Sequence, residues 1–446
     1  VLGDRKCRSW ELIDWTAGDE RCGAAGFAPR DVRHVVLIPN YREPVAVIRR
    51  TLDALAVQYR AQERLIIVLG MESREQGSRE KGEALAAEYA GAFLDILVTV
   101  HPAGLPREVP GKSSNQAWAL QVVTERIAED PEIDPDLVTI TSCDADSVLH
   151  ADYFAALSRL FWETEERHSR FWQAPMQYLN NIWRAPAPVR FSTWFGQAWM
   201  RASLAMPFYR GLPISTYSLS LRLAVESGGW DPAVIPEDWH MFLRCFFARD
   251  EHVELVPVFL PTNADVPEGE TWFAGMKIAF QQYLRHAWGA EDVGYMAGEM
   301  ARRDTGWRSV LLFMQVYLDH VLRAWGWFLV MSAYLLALGV HPAYEGILAG
   351  SVLDVGPQAA WLGPVFGVGA VVMISTLVFE IIRQPLPRDV SRVRLFAEQW
   401  LMWLSLPLLG LYLGMLPAIQ AQTMLLLGMP LSYRVTPKRI EAPSSS

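Results

Sequence analysis

Short unbroken runs of apolar residues alternate with stretches of helical spacing through the first third of the chain. The apolar runs have the length of buried parallel strands, and they predict strands at residues 34–39, 64–70, 93–100 and 137–142. The helical spacing between the runs predicts helices at residues 45–58 and 80–90 and a third one that is opened by residues 110–115 and runs to about residue 127. Strands that alternate with helices predict a parallel sheet with helices on both faces.

The middle of the chain is less regular and ends in two amphipathic stretches. Residues 171–258 are rich in Trp and Pro, and we expect short strands mixed with helices there. The clearest helical spacing lies at residues 155–167 and 239–248. Two more helices are predicted between Trp272 and Arg303, and their apolar faces are typical of helices that rest on a membrane surface.

Three long apolar runs follow in the last part of the chain. They cover residues 324–340, 359–379 and 400–416, and the last of them is followed by a further apolar stretch to Leu427. Each approaches the roughly 20 residues that cross a bilayer. One such run is also typical of a buried helix in a soluble protein, but three in succession favour membrane spans. The last region, with Pro407 and Pro417, is either one kinked span or a re-entrant pair.

Basic residues near these runs predict the orientation in the membrane. Arg302, Arg303 and Arg308 precede the first run, and four more arginines lie between residues 383 and 394. The loop at residues 341–358 contains no Lys or Arg. Because basic loops stay on the cytoplasmic side, we expect an integral membrane protein whose soluble domain and C-terminus face the cytoplasm.

These patterns divide the chain into five parts. We expect a lead-in segment, an α/β domain, a pair of interfacial helices, a transmembrane helical region and a cytoplasmic tail, over residues 1–33, 34–270, 271–307, 308–431 and 432–446. The chain opens at Val1 without an initiator methionine, so we expect further residues upstream.

Charge and cysteine content narrow the classes of function. The net charge of −9 argues against a nucleic-acid partner. The four cysteines show no Cys-x-x-Cys spacing, which predicts a reducing compartment with neither a zinc site nor a disulfide framework.

Two carboxylates follow the fourth predicted strand. Asp144 and Asp146 are one residue apart, so they would point the same way if the strand continued. Carboxylate oxygens at the C-terminal end of a strand suit a hard divalent cation beside a bound phosphate. Taken alone, the same residues are more typical of a solvated turn than of a metal site.

Two more polar clusters lie where helices are predicted to begin. Lys112 and Asn115 open one helix, where backbone N–H groups and a cation favour phosphate. Glu237 and Asp238 open another, where acidic side chains are also common as helix caps.

A last cluster lies on one face of an amphipathic helix. Gln282 and Arg285 share this face, and Trp288 follows one turn after Arg285. An interfacial helix with an aromatic anchor has the same pattern.

Taken together in this order, the clusters resemble the family 2 glycosyltransferases, in particular their membrane-embedded, cellulose-synthase-like branch. The similar segments are Ile38-Pro-Asn-Tyr-Arg-Glu43, Gly111-Lys112-Ser-Ser-Asn115, Asp144-Ala-Asp146 and Glu237-Asp238, with Gly228-Gly229-Trp230 ahead of the last pair. Two positions depart from the family pattern. Glu72 stands where an aspartate usually contacts the nucleobase. The Gln-x-x-Arg-Trp motif appears as Gln282-x-x-Arg285-His286, with Trp288 displaced by two positions.

The resemblance implies a Rossmann-like domain of the GT-A type and a set of residue roles. It implies a catalytic group in which Asp238 is the base, assisted by Arg285 and Gln282. The nucleotide-binding residues that it implies are Pro39, Tyr41, Glu43, Glu72, Lys112, Asn115 and Asp144. A Mg²⁺ or Mn²⁺ ion would be held by Asp146 and Asp144, and the acceptor residues would be Trp288, Glu237 and His286.

The function implied is transfer of a sugar, with inversion, from a UDP- or GDP-type nucleotide sugar to a lipid-linked or polysaccharide acceptor. The reaction would take place at the cytoplasmic face of the membrane, where the protein contacts membrane lipids. A processive polysaccharide synthase that translocates its polymer is the alternative. The displaced Trp288 alters the motif that accompanies processivity and so puts this alternative in doubt. Further alternatives are a phosphosugar transferase and a catalytically idle nucleotide-binding scaffold.

Overall fold

Seven strands form one mixed sheet in this computed structural model, which describes residues 1–23, 26–207, 211–337, 362–383, 386 and 390–431. Its order is β3-β2-β1-β4-β7-β5-β8, and a separate two-stranded sheet pairs β6 with β9. The strands are β1 Arg33–Pro39, β2 Leu65–Glu72, β3 Asp95–His101, β4 Val138–Ser142, β5 Arg170–Gln173, β6 Met176–Gln177, β7 Tyr217–Ser220, β8 Glu254–Pro257 and β9 Thr262–Asn263.

The first four strands form the predicted parallel half of the sheet. β1 lies between β2 and β4, and β3 pairs with β2 in the same direction. All eight residues of β2 and all five of β4 are buried. This burial explains why their sequences are continuous apolar or β-branched runs, and the Rossmann-like α/β prediction is confirmed for these strands.

The other half of the sheet departs from a purely parallel arrangement. β7 pairs antiparallel with both β4 and β5, while β8 pairs parallel with β5. The prediction of a parallel sheet rests on the first four strands and gives no direction for β5, β7 and β8. A four-residue strand carries too little periodicity to reveal its partner or its direction, since both depend on contacts distant in sequence.

Helices cover both faces of the sheet. In chain order they are α1 Leu2–Trp10, α2 Val45–Ala56, α3 Ala61–Arg64, α4 Ser78–Glu88, α5 Lys112–Ala128, α6 Tyr153–Glu163, α7 Ala187–Ala205, α8 Leu221–Glu226, α9 Glu237–Ala248, α10 Trp272–Ala287, α11 Glu291–Arg302, α12 Trp307–Ala337, α13 Leu362–Arg383, α14 Arg392–Leu404, α15 Leu406–Leu409 and α16 Leu416–Leu426. Two hydrophobic clusters lie on opposite faces of the sheet, one reached by α2 and α6 and the other by α5 and α9.

The lead-in segment packs on the α/β domain. Trp15 is buried in the core cluster that α2 and α6 reach. Arg64 is buried as well, and its guanidinium contacts the Asp19 carboxylate at 2.6 Å. These contacts fasten residues before β1 to the domain.

The C-terminal helices contain the predicted apolar runs. Within the described part of the chain, one stretch, Leu406–Leu426, is long and apolar enough to cross a membrane by length and composition. It is interrupted by a π-helical turn, Gly410–Met415, between α15 and α16, and such turns are common kinks in helices. The end of the first run, the start of the second, the 341–358 loop and the 432–446 tail lie outside the described residues.

Candidate active site

A cavity of about 430 Å³ opens at the carboxyl ends of β1 and β4. The sheet order reverses between these two strands, and in α/β sheets ligands bind where the order reverses. Twelve of the fourteen predicted site residues line this cavity, so the fold brings together motifs that are widely separated in sequence. The twelve are Pro39, Tyr41, Glu43, Glu72, Lys112, Asp144, Asp146, Glu237, Asp238, Gln282, Arg285 and His286.

Asn115 is not one of the described residues that line the cavity. It is buried in α5, and its Nδ2 donates to the carbonyl oxygen of Gly70 at 2.8 Å. A Cβ atom at Gly70 would lie 2.4 Å from Asn115 Oδ1, so the strand needs glycine at this approach. Asn115 therefore supports β2 at Gly70 through this hydrogen bond.

The loop after β1 is shaped by Glu43. Its carboxylate accepts hydrogen bonds from the backbone N–H of Tyr41 at 2.6 Å and from Asn40 Nδ2 at 2.9 Å. Arg42, between Tyr41 and Glu43, adopts a left-handed backbone conformation with a φ of 68°. Glu43 is thus an internal support of the loop that presents the Tyr41 ring.

An arginine that sequence analysis did not identify stacks on this ring. The Arg74 guanidinium lies 4.3 Å from the Tyr41 ring centroid, and its Nε donates to Glu72 at 2.6 Å. Burial raises the pKa of Glu72, and the Arg74 charge opposes this effect. Glu72 therefore has a cationic partner, and both Glu72 and Tyr41 line the cavity.

Lys112 is enclosed by oxygen atoms at the start of α5. Its Nζ lies 2.7 Å from Asp144 Oδ1, contacts the Glu237 carboxylate and donates to the Ser215 carbonyl at 2.9 Å. Burial alone would lower the pKa of Lys112, but the two carboxylates outweigh it and raise the pKa. An ammonium has three hydrogens, and all three have protein partners here, so the phosphate contact of Lys112 stays a prediction.

Glu237 is buried behind Lys112. Its Oε2 accepts from the Tyr217 hydroxyl at 2.6 Å and from Trp230 Nε1 at 3.1 Å, while its other oxygen faces Lys112. Burial raises the pKa of Glu237 to about 7 despite the attraction of Lys112. Both carboxylate oxygens contact protein groups, and the acceptor contact of Glu237 stays a prediction.

Asp238 lies beside Glu237 with a different environment. It is half-buried in the cavity wall, and its Oδ2 accepts from the backbone N–H of Ser215 at 3.2 Å. It occupies the first turn of α9, where the helix dipole favours negative charge. Of the acidic pair, Asp238 is therefore the better placed to meet a ligand.

The chemistry of Asp144 and Asp146 fits a divalent cation. Asp146 accepts from the backbone N–H of Asp265 at 3.1 Å, and Asp144 accepts from the Ser215 hydroxyl as well as binding Lys112. No group of three or more His, Cys, Asp or Glu side chains in the described residues is arranged to hold a metal ion. Mg²⁺ commonly uses one or two carboxylates and completes its shell with substrate phosphates, which matches this donor set.

Two C-terminal helices close the cavity. α10 provides Gln282, Arg285 and His286, and α12 provides His320 and Arg323. Burial lowers the pKa of His286 to about 3, and the neighbouring arginines add to this effect. The imidazole is therefore neutral at physiological pH and can accept a hydrogen bond.

Trp288 does not belong to the described lining of the cavity. Its indole is buried in a hydrophobic cluster with Ala324 of α12 and with Ala418 and Ala421 of α16. Its Nε1 donates to Glu291 at 3.2 Å. The displaced tryptophan thus packs the C-terminal helices together, and the acceptor contact that the resemblance implies for it stays a prediction.

Several cavity residues were missed by sequence analysis. Ser215 precedes β7, Asp265 follows β9, and Arg323 lies within an apolar helix. Arg50 of α2 pairs with Asp265 at 2.7 Å. These residues carry no local motif, so only the tertiary fold reveals them.

Comparison with known proteins gives a family and a set of structures. The family described as glycosyl transferase family group 2 matches residues 139–379, more than half of the chain. The mannosyltransferase PcManGT from Pyrobaculum calidifontis, solved with GDP-Man and Mn²⁺, is 16% identical over 84% of this chain and 93% of its own, with a TM-score of 0.44. Residues 1–349 of S. aureus TarS are 12% identical over 89% of this chain and 92% of that chain, with a TM-score of 0.40. None of the curated proteins compared with the chain matches it.

Proposed function

Because this chain belongs to glycosyl transferase family group 2, we propose that it transfers a sugar from a nucleotide-diphosphate sugar to an acceptor hydroxyl, with inversion at the anomeric carbon. The observation that carries this proposal is the shared cavity of Asp144, Asp146, Asp238 and Arg285. It combines a candidate site for a diphosphate, a candidate base and a cation within one enclosure. A cellulose-synthase-like branch of the family is part of the proposal.

The donor occupies the side of the cavity next to β1 and β2. Tyr41 and Glu72 line this side and are the proposed contacts of the nucleobase, while Arg74 packs over the Tyr41 ring and pairs with Glu72. The diphosphate reaches Asp144 and Asp146 at the end of β4. UDP- and GDP-type donors both fit this description.

Transfer requires one proton acceptor and stabilisation of one leaving group. Asp238 takes the proton of the acceptor hydroxyl as its oxygen bonds to the anomeric carbon, and the bond from that carbon to the diphosphate oxygen breaks. Arg285 stabilises the negative charge that forms on the departing diphosphate. A Mg²⁺ or Mn²⁺ ion held by Asp146 and Asp144 would supply further positive charge there.

A membrane location is supported by an exposed apolar stripe on α12. The stripe recurs at helical spacing and comprises Trp307, Val310, Leu311, Met314, Leu318, Leu322 and Trp325. Trp307 and Trp325 are 64% and 60% exposed, and a continuous patch of such large apolar side chains is unfavourable in water. We propose that this stripe and the Leu406–Leu426 stretch contact lipid, with the cavity on the cytoplasmic side.

The acceptor is proposed to be lipid-linked or a polysaccharide, because α10 and α12 bring the membrane region to the cavity wall. A processive synthase is the second candidate. The buried position of Trp288 weighs against it, since this indole packs between helices and offers no surface to a polymer.

The test is a panel of UDP- and GDP-sugars with purified protein in detergent and native lipid, with Mg²⁺ or Mn²⁺ present. We expect release of nucleoside diphosphate from one donor and a product of inverted anomeric configuration by NMR. The Asp238→Asn variant serves as the inactive control. Absence of nucleoside diphosphate release from every donor would contradict the proposal.

A further inference from the structure

One face of α7 borders the cavity and has no part in the chemistry described above. This face, the α7 face, consists of Ser192, Thr193, Gly196 and Gln197. We propose that the α7 face is a binding subsite for a neutral, hydroxyl-bearing sugar unit of the acceptor. This inference rests on the proposed function and specifies the class of its acceptor.

Gln197 provides the first observation. Its side chain is only 1% exposed, it lies in the cavity wall, and its Nε2 has no hydrogen-bond partner among the described residues. An amide group has two donor hydrogens and an accepting oxygen, and a buried unpaired donor is costly. If the amide N and O were exchanged, the atom at that position would still lack a hydrogen-bond partner. A ligand with both donating and accepting groups would remove it, and sugar hydroxyls do both.

Gly196 provides a second, steric observation. It lies in the middle of α7, where glycine is less favourable than alanine in a helix. A Cβ atom added at Gly196 would meet nothing within 4 Å, so the protein itself does not require glycine there. The open space faces the cavity, and glycine lets a ligand approach the helix backbone closely.

The charge of α7 favours a neutral ligand. Its two arginines, Arg190 and Arg201, form ion pairs with Glu398 and Glu380. The α7 face itself carries hydroxyl and amide groups only. A phosphate would therefore meet no cation of α7. Sugar hydroxyl groups would find hydrogen-bonding partners in Thr193 and Gln197, and also in the Ser192 hydroxyl, which is itself hydrogen-bonded to the Tyr283 hydroxyl.

An aromatic ring completes the chemistry for a sugar. Trp199 lines the same cavity and is 51% exposed. Aromatic faces stack on the apolar C–H face of a pyranose ring while the hydroxyls bond to polar groups at its edge. The combination of Trp199 with the α7 face thus points to a carbohydrate rather than a bare lipid headgroup.

Binding of acceptor-like sugars can be measured without turnover. The probes are di- and trisaccharides of glucose, galactose, mannose and N-acetylglucosamine, tested by saturation-transfer NMR with the full chain in lipid nanodiscs. We expect at least one probe to bind the wild type. Gly196→Trp should weaken that binding at least tenfold by filling the open space, and Gln197→Met severalfold by removing the amide at similar volume.

Matched controls separate local blocking from damage to the fold. Gly294 of α11 is also helical, a Cβ atom added there would meet nothing within 4 Å, and it lies away from the described lining of the cavity. Gly294→Trp should bind the sugar as the wild type does. UDP and GDP binding should be unchanged in all three variants.

Three results would overturn the inference. They are wild-type sugar affinity in both α7 variants, no binding of any sugar probe by the wild type, and binding of farnesyl phosphate that Gly196→Trp abolishes while sugars do not compete. Failure of the wild type to bind UDP and GDP or to consume any nucleotide sugar would instead count against the proposed function. The two failures are therefore distinguishable.

Discussion

The Lys112 ammonium lies 2.7 Å from Asp144 Oδ1, and this contact joins the start of α5 to the end of β4. The same ammonium contacts Glu237 at the start of α9. One buried cation thus holds together three chain segments that are widely separated in sequence. The arrangement fixes Asp144 and the neighbour of Asp238 before any ligand arrives, which is a form of preorganisation.

Replacement of Lys112 should therefore damage stability as well as turnover. Lys112→Met keeps most of the volume but leaves the buried Glu237 without its cation. Loss of one partner from a buried ion pair typically costs roughly 3 to 5 kcal/mol. Thermal unfolding in detergent should show a clear decrease, whereas Lys277→Met, at an exposed site of α10, should unfold like the wild type. Equal stability of both variants would contradict the central role of Lys112.

Removal of the carboxylates at the end of β4 should abolish turnover. Asp146→Ala and Asp144→Ala each remove a candidate metal ligand, and excess EDTA should silence the wild type until Mg²⁺ or Mn²⁺ is restored. Asp136→Ala is the matched control, because Asp136 pairs with Arg222 at the surface. Full activity in excess chelator would exclude the metal role of these aspartates.

The sequence predicts the parallel half of the sheet well because burial leaves a simple signature there. The apolar runs lie within about two residues of β1, β2 and β4, and α5 begins at Lys112, inside the segment 110–115 that the pattern predicts to open a helix. Asp144 and Asp238 share a cavity as expected, since strand ends and helix starts meet at one edge of such a sheet.

Features that depend on distant contacts could not be predicted in the same way. Ser215 reaches Asp144 and Asp238 because the short β7 pairs antiparallel with β4, and periodicity does not encode that pairing. Trp288 shares a helical face with Arg285 by spacing, yet packing against α16 buries its indole. The spacing of residues defines a face, but the neighbouring elements decide what that face contacts.

A buried histidine should make stability depend on pH above neutrality. His240 lies between Asp292, 2.7 Å from Nδ1, and Asp231, 3.6 Å from Nε2. Burial would lower the pKa of His240, but the two carboxylates prevail and raise it to about 9. The folded state therefore holds a proton that the unfolded state loses near pH 6.5.

The stabilisation from His240 is complete below pH 6.5 and is lost as the pH rises through about 9. The shift corresponds to roughly 3 kcal/mol. We expect the unfolding temperature of the wild type to decrease between about pH 7 and 9. His240→Gln should have a lower unfolding temperature at neutral pH and a flatter profile over this range. Parallel profiles of the two proteins would show that another group titrates.

A native thiol can test the proposed membrane orientation. Cys22 is exposed, whereas Cys7, Cys143 and Cys245 are buried. In intact cells, a membrane-impermeant maleimide should leave Cys22 unlabelled, and permeabilisation should allow labelling. Cys22→Ser should remove the signal, which identifies the labelled residue. Labelling of intact cells would reverse the proposed topology.

Asp238 and Glu237 can be distinguished as the general base by paired substitutions. Glu237 has both oxygens engaged by Lys112, Tyr217 and Trp230, so it is poorly placed to take a proton from an acceptor. Asp238 lies in the cavity wall at the start of α9. The geometry therefore favours Asp238.

Asp238→Asn keeps the shape of the side chain and an oxygen that can accept the hydrogen bond from Ser215, but it removes the basicity. Turnover should decrease by roughly two to four orders of magnitude, the usual effect of losing a general base. Binding of the nucleotide, measured by calorimetry, should barely change, because the proposed role of Asp238 is toward the acceptor and not the diphosphate. Glu237→Gln should instead lower stability and retain more turnover than Asp238→Asn. If Asp238→Asn kept nearly wild-type turnover while Glu237→Gln lost it, the proton would pass to Glu237 and the assignment would be wrong.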